Sequence, residues 1–238
     1  MTTAREALEW IRANSSRRDR ENLARFGITV TKAIGISMAK LKVYAKRTGR
    51  DHTLALALWR TGWYDARMLA CLVDDPALVT RAQMDAWCKV FDNWGICDTA
   101  CFALFDRSEL AWGRIAPWAR QRGEYQRRAG FALLASLALH DKRAPNAKFV
   151  RLLPLIEAHA TDDRNFVKKG VSWALRGIGK RNAALRARAT ITARRLATHD
   201  SASARWIGKD ALREFARSKV RTPARSTVRA TGRRARAN

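Results

Sequence analysis

Acidic residues are scarce in this chain of 238. The sequence has 21 Asp and Glu against 47 Lys and Arg, a formal net charge of +26. Such an excess repels itself in a compact molecule, so a neutralising partner is expected. A polyphosphate is the most economical one; an anionic membrane surface is the competitor. Long apolar runs are missing too. The most apolar stretch, Phe131 to Leu139, falls well short of the ~20 residues that cross a bilayer. The opening Met-Thr-Thr-Ala-Arg-Glu has no apolar secretory core. Cysteine is sparse: Cys71, Cys88, Cys97 and Cys101 contain no Cys-x-x-Cys pair, which excludes a disulfide framework and fits reduced thiols in a cytoplasmic protein. Cys97 and Cys101 share a helix face, but His140 and His159 are far off in sequence, so buried thiols are expected rather than zinc ligands. The four histidines form no triad-like arrangement, and no single lysine stands out as a Schiff-base nucleophile. No metal or cofactor is expected. Strand-type alternation is also absent.

What remains is ample for a folded core. Hydrophobic residues are 47% of the chain, too many for a wholly disordered basic protein. Ala, Leu and Arg dominate, all strong helix formers. The pattern predicts helices over 3–13, 16–25, 38–48, 51–61, 64–73, 80–89, 95–105, 108–119, 123–141, 146–159, 163–178, 183–197 and 203–217. Ser37 can cap the third, Thr80 with Gln83 forms a capping box, and Pro145-Asn146 opens another helix. Asp162 or Asp163 can cap the helix that ends near Gly179, and Ser201 or Ser203 the last one, which should carry Trp206, Ala211, Leu212 and Phe215 inward. Short linkers between such helices make neighbours antiparallel. The expected fold is all-α: a curved α-solenoid of antiparallel helical hairpins of HEAT or armadillo type. Asp74-Asp75-Pro76 and Asp162-Asp163 look like equivalent turns, although full repeats do not align.

The charge is uneven. Residues 1–50 hold 12 basic and 4 acidic side chains, 51–150 hold 13 and 11, and 151–238 hold 22 and 6. One helical domain is expected over 1–217. Residues 218–238, with seven basic and no acidic side chains, read as a disordered basic tail that can lie along a phosphate backbone. Lys42, Lys46, Arg47 and Arg50 form a further basic run, either a backbone grip or a solvated face.

Three segments mix aromatics and charges where a plain core would not. In Phe91-Asp92-Asn93-Trp94-Gly95-Ile96-Cys97-Asp98, Trp94 and Asp98 share one helical face. In Glu124-Tyr125-Gln126-Arg127-Arg128-Ala129-Gly130, two arginines open an apolar helix and should point out of it. In Arg164-Asn165-Phe166-Val167-Lys168-Lys169-Gly170-Val171-Ser172-Trp173, Lys169 and Trp173 repeat the four-residue spacing. The other tryptophans, Trp10, Trp59, Trp63, Trp87, Trp112, Trp118 and Trp206, are expected mostly in the core.

In these motifs and their order, over about residues 20 to 197, the chain resembles the HEAT-like-repeat DNA alkylation repair glycosylases, the AlkD-like alkylpurine DNA glycosylases. The resemblance implies hydrolysis of the N-glycosidic bond of cationic N3- or N7-alkylated purines in duplex DNA, without full extrusion of the base. It implies Asp98 as the catalytic carboxylate, Trp94 and Trp173 as aromatics against the lesion nucleotide's backbone, and Arg128 as the phosphate-contacting arginine. Lys169 and Arg127 are phosphate neighbours, and Phe26 takes the position of an N-terminal aromatic that is usually tyrosine. Gly95 departs from the acidic residue expected in many relatives. The partner so implied is double-stranded DNA containing alkylated purines. A DNA-associated cytoplasmic monomer is expected, with no membrane and no obligatory protein partner. Two other functions fit the basic composition: a non-catalytic HEAT-like protein that recognises damaged or branched DNA, and a protein–protein scaffold.

Overall fold

The computed structural model describes residues 2–218. Among them there is no β-strand. The helices are α1 (Ala4–Ala13), α2 (Arg17–Arg25), α3 (Met38–Thr48), α4 (His52–Arg60), α5 (Tyr64–Val73), α6 (Arg81–Lys89), α7 (Trp94–Ala103), α8 (Ile115–Ala119), α9 (Glu124–His140), α10 (Asn146–Val150), α11 (Leu153–Ala158), α12 (Asn165–Gly179), α13 (Ala183–Ala197) and α14 (Ala202–Arg217). Eight of them open on a Ser, Thr, Asp or Asn whose side chain accepts a first-turn amide: Thr3, Ser16, Ser37, Asp51, Thr80, Asn93, Asn182 and Ser201. Each such cap is worth about 1 kcal/mol.

The helices stack as hairpins into a curved α-solenoid. One row runs α3, α5, α7, α9, α12, α14, each helix packed on the next. A second row lies behind it, with α4 on α5, α8 on α9, and α13 against both α12 and α14. None of the described helices is long and apolar enough to cross a membrane. The core is continuous through the stack. Trp59 and Trp87 lie parallel at 3.8 Å, and Phe105 joins Trp87 to Trp118. Helix crossings are tight where glycine allows it. A Cβ on Gly130 of α9 would come within 2.5 Å of the Ala119 backbone nitrogen. Gly130→Ala is therefore expected to destabilise the fold by about 1–3 kcal/mol through overpacking, read as a lower midpoint in urea unfolding at unchanged slope.

Buried carboxylates tie neighbouring hairpins together. Asp65 accepts the amides of Ile34, Gly35 and Ile36. Asp74 accepts from Gln83 and meets His52 Nδ1, both at 2.6 Å. Asp106 takes Ser136 and His140. Such donors offset the burial of a carboxylate; at Asp106 both go to Oδ2, and Oδ1 has no hydrogen-bond partner among the described residues.

Several expected elements differ. The helix expected over 108–119 is one 3-10 turn, Ala111–Arg114, followed by the short α8, because Pro117 has no N–H to donate back to Gly113. The helix expected over 146–159 breaks into α10 and α11, since Pro154 cannot bond the Val150 carbonyl. Thr80 caps α6 alone, because the Gln83 side chain turns to Asp74 instead. Neither Asp162 nor Asp163 caps α12. Its first turn is met by Glu124, which accepts the Phe166 amide, while Asp162 is taken by arginines. Trp206 is not inward: it is 36% exposed, covered on one face by Lys168. The basic tail expected over 218–238 lies, beyond Ser218, outside the described residues.

Candidate active site

The three aromatic-and-charge motifs open three successive helices of one row. Asn93 caps α7 through the Ile96 amide, which sets Trp94 in the first turn and Asp98 one turn on. Glu124 begins α9, with Arg128 one turn on. Phe166, Lys169 and Trp173 follow along α12. Because α7 packs on α9 and α9 on α12, residues 30 to 38 apart in sequence meet.

The centre is a bidentate pair. Arg128 Nε donates to Asp98 Oδ1 at 2.8 Å and Nη2 donates to Oδ2 at 2.7 Å. Arg128 Nη1 also donates to the Phe166 carbonyl at 2.7 Å. Arg128 therefore points into the stack and is buried, in contrast to the outward direction expected from its place on an apolar helix. Burial pushes the Asp98 carboxyl above the usual range, and the Arg128 guanidinium opposes this. Burial likewise disfavours the Arg128 charge, which Asp98 more than restores. A guanidinium does not release its proton in this range, so protonating Asp98 would strand a buried cation. The pair is accordingly charged at neutral pH. Each Asp98 oxygen uses one acceptor position on Arg128 and keeps another.

Asp98 is the wall shared by two clefts. One, of about 1270 Å³, is lined by Asp98, Arg128, Lys169, Trp173, Arg176 and Trp206, among others. The other, of about 360 Å³, holds Phe26, Ile28, Met38, Tyr64, Trp94 and Asp98 in a mostly apolar lining. Phe26 is 64% exposed at the mouth of the second. Its carbonyl accepts Trp94 Nε1 at 2.9 Å, and the turn that allows this continues through Gly27 at φ +70°, a conformation that favours glycine. Gly95 stands where a Cβ would come within 2.7 Å of the Tyr64 hydroxyl. Tyr64 thus fills the space that an acidic side chain would need.

The structure gathers Asp98, Trp94, Phe26, Arg128, Lys169 and Trp173 around these two clefts. It does not bring Arg127 there. Arg127 Nη1 binds Asp162 at 2.6 Å and its Nε the Gln121 carbonyl. Burial would raise the Asp162 carboxyl, but Arg164 and Arg127 overcome this and hold it at about 2. Arg50 is likewise committed, to the Leu72 and Asp74 carbonyls, whereas Lys42, Lys46 and Arg47 are exposed. One residue without a role in the sequence reading matters: Phe166. Its ring lies 5.5 Å from Tyr125 and about 6.0 Å from both the Arg128 and Lys169 charges. Its place in the third motif was the available signal. The Cys97 and Cys101 thiols face the Tyr125 and Ala129 carbonyls, and among the described residues no cluster of three His, Cys, Asp or Glu could hold a metal ion.

The family model described as DNA alkylation repair enzyme matches residues 7–215. A solved structure from a family of proteins related to the HEAT-like repeat DNA glycosylases, with affinity for branched DNA structures, superposes with a TM-score of 0.74. It is 18% identical, over 89% of this chain and 95% of that one. A designed armadillo repeat protein in complex with a (KR)4 peptide aligns over 86% of this chain and 88% of its own, at 14% identity and a TM-score of 0.39. No curated protein matches.

Proposed function

The chain belongs to the DNA alkylation repair enzyme family, and from that premise we propose that it is a monofunctional DNA glycosylase releasing cationic N3- or N7-alkylated purines from duplex DNA. The observation that carries this is the position of Asp98: a fixed carboxylate at the junction of two clefts, one walled by Trp94 and the other by Trp173. An alkylated purine cation leaves as a neutral base, so its glycosidic bond is already weak. The transition state shifts positive charge to the deoxyribose, as in other glycosyl transfers. Asp98 stabilises that charge, and its spare acceptor positions orient the attacking water. One carboxylate suffices because the leaving base needs little protonation.

Arg128 holds the carboxylate in place. It spends three of its five N–H donors on Asp98 and Phe166, which leaves two for a phosphate oxygen. Tryptophan faces suit a cationic sugar or base, by cation–π attraction of roughly 0.5–2 kcal/mol. Lys169 and Phe26 flank the nucleotide. Arg127, bound to Asp162, acts on DNA only if that pair opens.

A second reading has its own support. The related solved structure binds branched DNA, and here the Asp98 charge is neutralised by its own arginine. A non-catalytic protein for damaged or branched DNA shares every basic feature with a glycosylase. The full chain incubated with N-methylated duplex is expected to free 7-methylguanine and 3-methyladenine. Tight binding with no freed base would replace the glycosylase by this second function.

A further inference from the structure

The larger cleft extends well past Asp98. Its volume of about 1270 Å³ exceeds the ~300–1,000 Å³ of a pocket built for one small ligand. Its far end is formed by α12 and α14, with Trp206, Arg176, Lys180 and Asp210 in the lining. Trp206 is the most exposed of the nine tryptophans, the other eight being buried or half-buried. Lys168 Nζ stands 5.2 Å from its ring centre. Arg176 and Lys180 are ion-paired to Asp210 and Glu214. Among the described residues, neither Lys168 nor Lys169 has an ion-pair partner.

We infer that this end of the cleft is a second binding site, which takes an unpaired nucleotide of a DNA strand on the Trp206 ring with Lys168 at its phosphate. This rests on the DNA-binding part of the proposed function, not on its chemistry. A duplex backbone asks only for cations. Its bases are stacked on one another and offer no face to an indole. An exposed ring beside the ammonium group of Lys168 is what a single strand uses: a plate for the base and a charge for the phosphate. Lys168 sits on a flexible four-carbon stem, so it yields the ring face to an incoming base and keeps its charge nearby. Asp210, one turn from Trp206, does not repel the strand. It is held by Arg176 at 3.2 Å and by the Ser172 hydroxyl at 2.6 Å.

The test compares a labelled blunt duplex with the same duplex carrying a single-stranded thymidine flap, by fluorescence anisotropy at one stated salt concentration. The flap is expected to tighten binding by roughly fivefold or more. Trp206→Ala should erase that gain and leave blunt-duplex binding unchanged, while Trp206→Phe keeps most of it. Lys168→Gln, at a half-buried position outside the buried core, should lose much of the gain even if Trp206→Ala melts early. Equal binding of both probes by the wild type overturns the second site alone. Failure to bind either probe overturns the DNA reading beneath it. Variants that weaken both probes equally reduce Trp206 to part of a general duplex grip, which also overturns the site.

Discussion

Asp98→Asn is expected to cut base release from N-methylated duplex by about tenfold or more, with DNA affinity close to wild type. Asparagine has nearly the same size and still offers one oxygen to Arg128. It lacks the charge that meets the developing oxocarbenium centre, and its amide nitrogen cannot accept the second guanidinium bond. The substitution also leaves Arg128 as a largely buried cation without its partner. Breaking such a pair costs about 3–5 kcal/mol in a fully buried site, and less here because the Asp98 side chain keeps 19% of its surface. A melting curve must therefore accompany the rate, measured well below the variant's transition. Release of 7-methylguanine at the wild-type rate by a folded variant would remove Asp98 from the chemistry.

Arg128→Met is expected to be comparably damaging, in a way that pH reveals. Without the guanidinium, only the Cys97 thiol opposes the effect of burial on Asp98, whose carboxyl is already above the usual range. The acid limb of the pH–rate profile should move to higher pH, and release at neutral pH should fall. Stability carries the same signature. A folded-state pKa raised above the unfolded value gives no penalty below the unfolded pKa, about 3.9. The penalty then grows as pH rises through the folded pKa and stays constant above it. The variant should thus lose most relative to wild type near pH 8 and least near pH 4, in urea unfolding at both. If the acid limb stays put while DNA affinity drops, Arg128 acts on phosphate rather than through Asp98.

Helix positions were legible because their causes are local. Ser37, Thr80 and Ser201 announce helix starts by themselves, and eight side-chain caps lie within three residues of the amides they serve. The sequence reading erred where a distant partner competed. Gln83 was drawn from its cap to Asp74, and Asp162 from α12 to Arg127 and Arg164. The motifs at Trp94, Arg128 and Trp173 marked three helices whose adjacency depends on stacking order. No local pattern states that Arg128 turns inward to Asp98, 30 residues earlier. Trp206 is a different case. At about 100° per residue it lies well round α14 from the face that Ala204, Ile207, Gly208, Ala211 and Phe215 bury, so the helical period itself leaves the indole in the cleft, and the inward expectation rested on residue type rather than on spacing.

The Asp98–Arg128–Phe166 chain has a consequence for how the protein spends its time. It spans α7, α9 and α12, so the proposed catalytic group is also a fastening between three hairpins. In a stacked array each unit is held mainly by its neighbours, and opening can begin wherever an interface is weakest. Opening between α9 and α12 breaks the Arg128–Phe166 bond and frees the guanidinium; opening between α7 and α9 unseats Asp98 itself. The fraction of molecules with a formed site therefore cannot exceed the fraction with both interfaces closed. DNA that bridges the three helices would raise both fractions together, so occupancy by the duplex and readiness of the carboxylate form a single linked equilibrium.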